Sequence, residues 1–112
     1  MVSEIKDGEK YYILNLGGRL VLDLDSGSSI SGTNVHGWSP GFDSKNPQRV
    51  WKLEAGGDHW IVRNVMSGTV MALKNGDSDN GTPIVGEKPD NADRQKWRIY
   101  LTEPESLCSY WT

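Results

Sequence analysis

With 112 residues, 36% of them hydrophobic and 13 of them glycine, the chain is one domain's worth with enough apolar material for a packed core. Its formal net charge is −3, and no basic tract or Lys/Arg stripe runs along it, which argues against nucleic-acid binding and docking on anionic membranes. No apolar run reaches the roughly 18 residues of a membrane span, Met1 to Asp7 holds no apolar signal core, and the single cysteine, Cys108, rules out an internal disulfide and a cysteine zinc cluster. These features lead us to expect a cytoplasmic soluble protein, or the mature fragment of a secreted one.

No window shows the i, i+3, i+4, i+7 pattern of an amphipathic helix, whereas short apolar runs recur between turn signals. In chain order they are Tyr11-Tyr12-Ile13-Leu14, Leu20-Val21-Leu22, Trp51-Lys52-Leu53, Trp60-Ile61-Val62, Val70-Met71-Ala72-Leu73 and Trp97-Arg98-Ile99-Tyr100. Asp25-Ser26-Gly27, Met66-Ser67-Gly68 and Asn75-Gly76 supply the turns, the last favouring positive φ. The pattern predicts an all-β fold.

Sliding the chain by 49 residues superposes Gly8 on Gly57, Asn15 on Asn64, Val21 on Val70, Leu24 on Leu73, Gly27 on Gly76, Gly32-Thr33 on Gly81-Thr82, Gly37 on Gly86 and Pro40 on Pro89. Removing three residues from the first copy then aligns Trp51 with Trp97. The chain therefore reads as one domain of two copies of a unit of about 47 residues. Copy one covers about 9–54, copy two about 58–103, and a tail runs over 104–112. One tryptophan per copy at an equivalent position is expected to fill the core.

Gln95-Lys96-Trp97 is the Gln-x-Trp signature of the ricin B-type β-trefoil lectins, and Gly32 to Trp38 (Gly-Thr-x-Val-x-Gly-Trp) resembles their fungal, mushroom branch. The resemblance covers residues 9–103. Copy one departs from it, with Arg49 two places before Trp51 and Gln48 one place early. The resemblance implies a β-trefoil, which closes on three copies where two are visible here. A partner chain that completes the structure, a truncated longer protein, or a rearranged tail would each account for the difference. Tyr110-Trp111-Thr112 reads as the start of a third copy's first strand. Self-association is the expectation, since an open barrel leaves strand edges unpaired.

The family places a shallow sugar site in each copy: an aspartate and an amide for hydroxyls, and an aromatic ring for the sugar's apolar face. The chemistry is general, because a carboxylate accepts charge-assisted hydrogen bonds, an amide both donates and accepts, and an indole covers C–H surface. Carried onto copy one, Asp23 is the aspartate and Trp38 the stacking ring, with His36 and Gly37 beside it, and either Asn46 or Gln48 supplies the amide. Trp38 sits among Gly, Ser and Pro and is expected in a loop, where a tryptophan makes a good binding candidate. Copy two has Ala72 and Glu87 at the positions of Asp23 and Trp38, and keeps Asn91 and Arg94. One site per chain is expected.

Rival chemistries find less support. Asn75–Gly81 resembles the start of a calcium loop, but has Asn80 where its glycine is needed and Gly86 at the twelfth place. His36 and His59 are the two histidines, and no His/Cys spacing suits zinc. No nucleophile elbow or phosphate loop occurs, and nothing sets up a carboxylate pair for glycoside hydrolysis. The sequence thus points to a non-catalytic lectin without metal or cofactor, whose partners are glycans. The alternative is a lectin-like trefoil that binds protein, as a protease inhibitor or as the partner subunit of an enzyme, with Trp38 and Trp111 as contact anchors.

Overall fold

The computed structural model describes residues 5–39, 46–101 and 110–111. Nine short strands are described: β1 Lys10–Tyr11, β2 Val21–Leu24, β3 Thr33–Trp38, β4 Trp51–Ala55, β5 Trp60–Asn64, β6 Val70–Leu73, β7 Ile84–Glu87, β8 Tyr100–Leu101 and β9 Tyr110–Trp111. The remaining regular structure is four single 3₁₀ turns, so the fold is all-β as the periodicity predicts. Seven strands form one antiparallel sheet in the order β1-β4-β5-β6-β7-β3-β2, and an isolated bridge between Leu14 and Val21 joins its two ends into a curl. This is a β-trefoil architecture, in which β5, β6 and β7 of the second segment lie together in the middle of the sheet, flanked on both sides by strands of the first.

The aligned residues share their backbone geometry. Ser26 (φ 55°, ψ 12°) and Asn75 (φ 56°, ψ 10°) occupy the same left-handed position inside matching 3₁₀ turns, Asp25–Gly27 and Lys74–Gly76. Each turn follows a strand ending in leucine, Leu24 or Leu73, and reverses the chain toward the next strand. The Leu14–Val21 bridge has its counterpart in the Arg63–Val70 pair. Trp51 Nε1 donates to the Leu22 carbonyl at 3.0 Å, and Trp97 Nε1 donates to the Met71 carbonyl at 2.8 Å. Each indole therefore ties the end of one segment to the strand that carries its Asp23 or Ala72 position, and among the described residues no indole N–H is buried unpaired.

The core cluster is Leu24, Trp51, Leu53, Val62 and Met71, with Trp60, Trp97, Val35 and Ile99 packed around it. Trp51 is wholly buried, as expected of a core tryptophan, while Trp97 is half-buried. Two expected strands are shorter than the sequence suggests. Of Tyr11–Leu14 only Tyr11 lies in β1, and Trp97 pairs with Trp60 in a single two-bond bridge before β8 begins at Tyr100. Tyr110 and Trp111 pair with Leu101 and Tyr100, the same arrangement in which Trp60 pairs with Ala55 and Ile61 with Glu54. Thr112, Pro40 and Cys108 lie outside the described residues.

Ion pairs at the surface trim the sheet. Arg63 on β5 grips Glu54 on β4 with its Nε at 3.2 Å from both carboxylate oxygens, and its other arm donates to the Gly68 carbonyl. Hydrogen bonding from Arg63 holds the Glu54 carboxyl below its ordinary pKa. Asp58 is held low by hydrogen bonds from His59 and then Arg98, and Asp90 by the Ala92 backbone N–H and then Arg94. A carboxyl with a depressed folded-state pKa contributes stability that is present above the unfolded value and is lost as pH falls through the folded one. Thermal midpoints measured from about pH 6 to pH 2.5 are therefore expected to hold level and then decline below about pH 4. The decline is modest because water screens these pairs. Midpoints that rise on acidification would contradict the assignment.

Candidate functional site

The candidate site is built on the β2–β3 hairpin, whose register pairs Val21 with Trp38, Leu22 with Gly37, Asp23 with His36 and Leu24 with Val35. Alternation along a strand puts residues i and i+2 on one face, so Val21 and Asp23 on β2 share a face with Trp38 and His36 on β3. Trp38 is the last residue of β3 and not a loop residue as the Gly/Ser/Pro surroundings suggested. Cross-strand pairing with Val21 overrides the local turn chemistry, and Leu20 covers the bare Cα of Gly37, where a Cβ would stand 3.1 Å from Leu20 Cδ1.

Asp23 is 2% exposed. Its Oδ1 lies 2.8 Å from His36 Nε2 and its Oδ2 accepts from Arg49 Nε at 3.0 Å. A buried carboxylate is costly unless charge and hydrogen bonds compensate it, and both oxygens are satisfied here. Arg49, itself largely buried, arrives on the 3₁₀ turn Pro47–Arg49 that leads into Trp51. Above Asp23 the His36 and Trp38 rings stack with centroids 5.2 Å apart and planes 27° from parallel. Trp38 is 51% exposed, so an indole face is presented to solvent beside a polar group, with charge beneath.

Of the residues singled out from sequence, the structure brings together Asp23, His36, Gly37 and Trp38. The two candidate amides do not join them by hydrogen bonds. Asn46 precedes the turn and its carbonyl accepts from Arg49 N, while the Gln48 carbonyl accepts from Asn64 Nδ2. Arg49 is the member that sequence reasoning missed. The signal was present, since Arg49 stands where the Gln-x-Trp motif has its glutamine.

The second segment shows what the same positions do without this set. Ala72 and Val85, aligned with Asp23 and His36, form a fully buried apolar register pair. Glu87, in place of Trp38, accepts from Arg94 Nε at 2.7 Å and from Gln95 Nε2 at 3.0 Å. Gln95 also accepts from Asp90 N and donates to the Lys88 carbonyl, stitching the loop that follows β7 to the turn Asp93–Gln95. Arg94 also pairs with Asp90. A pocket of about 320 Å³ lined by Asp58, His59, Trp60, Arg98 and Ile99 lies at the β4–β5 turn and shares no residue with the hairpin set.

The all-β curl, the two indole ties and the Gln-x-Trp geometry define a β-trefoil of the ricin type. The ricin-type beta-trefoil lectin domain-like family model matches residues 2–87 and again 47–111, and the chain belongs to that family. Among solved structures, the designed three-fold symmetric protein ThreeFoil matches with a TM-score of 0.76 at 21% identity over 85% of this chain and 66% of its own. The Macrolepiota procera ricin B-like lectin, solved in complex with lactose, matches with a TM-score of 0.73 at 22% identity over 90% of this chain and 65% of its own. The Polyporus squamosus lectin, solved bound to a human-type influenza-binding epitope, matches with a TM-score of 0.73 at 28% identity over 87% of this chain and 34% of its own. The chain thus spans just under two thirds, or less, of the length of these structural neighbours. No curated protein matches the sequence significantly.

Proposed function

We propose that the chain is a non-catalytic carbohydrate-binding protein with one shallow glycan site, on the β2–β3 hairpin. The observation that carries this reading is the exposed Trp38 ring stacked on His36, which hydrogen-bonds to the buried Asp23 carboxylate. An indole face covers the C–H face of a pyranose, and the polar groups beside it take the hydroxyls. Membership of a lectin family and the lactose complex of a structural neighbour support the same reading. The sugar is of galactose or mannose type, with the amide of Asn46 or Gln48 completing the rim. The second segment, with Ala72, Val85 and Glu87 at the equivalent positions, provides no second site of this kind.

Open sites of this sort bind monosaccharides in the millimolar to micromolar range, about −4 to −8 kcal/mol. Useful avidity then comes from presenting several sites at once, which a one-site chain gains by self-association. Sedimentation that gives only monomer at high micromolar concentration would remove that part of the proposal.

Galactose, lactose, N-acetylgalactosamine and mannose titrated against the protein, followed by tryptophan fluorescence, test the reading. A saturable change with at least one sugar is expected. Trp38→Ala is expected to abolish it while shifting the unfolding free energy by less than about 1 kcal/mol, because the ring is half exposed. A folded wild-type protein that responds to none of them would favour the protein-binding alternative.

A further inference from the structure

Asp23, the residue whose type most suggests direct contact with sugar hydroxyls, is 2% exposed, and each of its oxygens already accepts a hydrogen bond. His36, above it, is 35% exposed. An arginine keeps its protons throughout the accessible pH range, so Arg49 is the donor to Asp23 Oδ2. An ionised carboxylate only accepts, so the 2.8 Å contact at Oδ1 requires the proton on His36 Nε2. In the neutral imidazole the proton is then absent from Nδ1, which becomes an acceptor. Nδ1 has no hydrogen-bond partner among the described residues, and no buried side-chain nitrogen or oxygen among them is unpaired, so Nδ1 is open to solvent.

The second segment changes these positions together. Asp23, His36 and Arg49 become Ala72, Val85 and Gln95, and the stacking Trp38 becomes Glu87. Without a carboxylate to hold, the Gln95 amide serves the loop after β7 instead. The departure from the Gln-x-Trp motif at Arg49 and the presence of the Asp23–His36 pair are thus two sides of one arrangement.

We propose that Arg49, Asp23 and His36 form a buried relay that fixes the imidazole tautomer, so that His36 Nδ1 is the acceptor offered to a sugar hydroxyl beside the Trp38 ring. Arg49 and Asp23 are positioning residues, and His36 and Trp38 are the contacting pair. This inference rests on the glycan-binding reading and names the atom that meets the hydroxyl. A fixed acceptor selects for a hydroxyl that can point at it with its hydrogen, and it costs no reorganisation on binding.

Long-range ¹H–¹⁵N correlation of the His36 ring tests the relay in the free wild-type protein, independently of any sugar. In the neutral ring the Nε2–H tautomer is expected. An Nδ1–H tautomer would overturn the relay. Asp23→Asn can donate to Nε2 and so release the tautomer, and Arg49→Gln removes the brace on the carboxylate. Asp23→Asn is expected to populate the Nδ1–H tautomer, whereas Arg49→Gln keeps the accepting carboxylate and with it the Nε2–H tautomer but lets the ring move. Each is expected to weaken binding, for whichever of the four sugars titrates, by roughly tenfold. His36→Gln, which keeps an acceptor but not its fixed direction, is expected to lose less than His36→Ala. Wild-type affinity in folded Asp23→Asn and Arg49→Gln proteins would overturn the positioning roles. A wild type with the expected tautomer but no response to any sugar would instead overturn the glycan reading and with it the role of Nδ1, leaving the relay as a purely structural feature.

Discussion

Trp51→Ala is expected to remove most of the stability of the chain, about 3–5 kcal/mol. Trp51 is wholly buried, belongs to the core cluster with Leu24, Leu53, Val62 and Met71, and closes the first segment through its bond to the Leu22 carbonyl. Truncation would leave a large void in a small core, and the Leu22 carbonyl would lose its donor. Against the 5–15 kcal/mol typical of natural domains, the loss leaves a protein that is marginal at room temperature. Trp97→Ala, at the aligned position but half-buried, is expected to cost less. Urea unfolding monitored by far-UV circular dichroism measures both. Equal losses, or a loss under about 1 kcal/mol for Trp51, would mean that the indole does not organise the core.

The second large effect concerns the buried charges. Arg49→Ala leaves the Asp23 carboxylate, 2% exposed, with His36 as its sole hydrogen-bond partner among the described residues. Breaking one side of a buried pair costs about 3–5 kcal/mol, because the remaining charge is stranded. The triple replacement Asp23→Ala, His36→Val, Arg49→Gln installs the combination that the second segment already carries at Ala72, Val85 and Gln95. It is expected to recover to within about 1–2 kcal/mol of wild type, since exchanging a whole buried ion pair for apolar contacts is often neutral. The single and triple variants should therefore be strongly non-additive. The stabilised triple variant is expected to bind no sugar. Additive losses would show that the three side chains act separately.

Much of the fold was legible because its determinants are local or repeated. Asn75, Gly76 and Gly27 adopt the left-handed conformations that their residue types favour, and Ser26 adopts the same conformation at the position aligned with Asn75. The two tryptophans found by sliding the chain on itself make matching bonds to matching carbonyls. The site was legible in residue type, less so in geometry. Trp38 was expected in a loop because Gly37 and Pro40 flank it closely, and local composition carries no information on its pairing with Val21, which lies 17 positions earlier. Asp23, in Leu22-Asp23-Leu24, fits equally a solvated polar position on a half-buried strand. Its burial depends on a guanidinium that arrives from residue 49 and an imidazole from residue 36, and neither partner is near it in sequence. The shifted glutamine at 48 drew attention to an amide, whereas the neighbouring Arg49 carries the interaction.

The most direct measurement is a ¹H–¹⁵N NMR titration of the uniformly labelled protein with lactose and with mannose. Saturable shifts are expected at Val21–Leu24, at Val35–Trp38, at Gln48–Arg49 and at the Trp38 indole N–H. The aligned residues Val70–Leu73 and Ile84–Glu87 should stay unmoved. Shifts centred on the second segment, or no saturable shift from a folded protein with either sugar, would contradict a single glycan site on the β2–β3 hairpin.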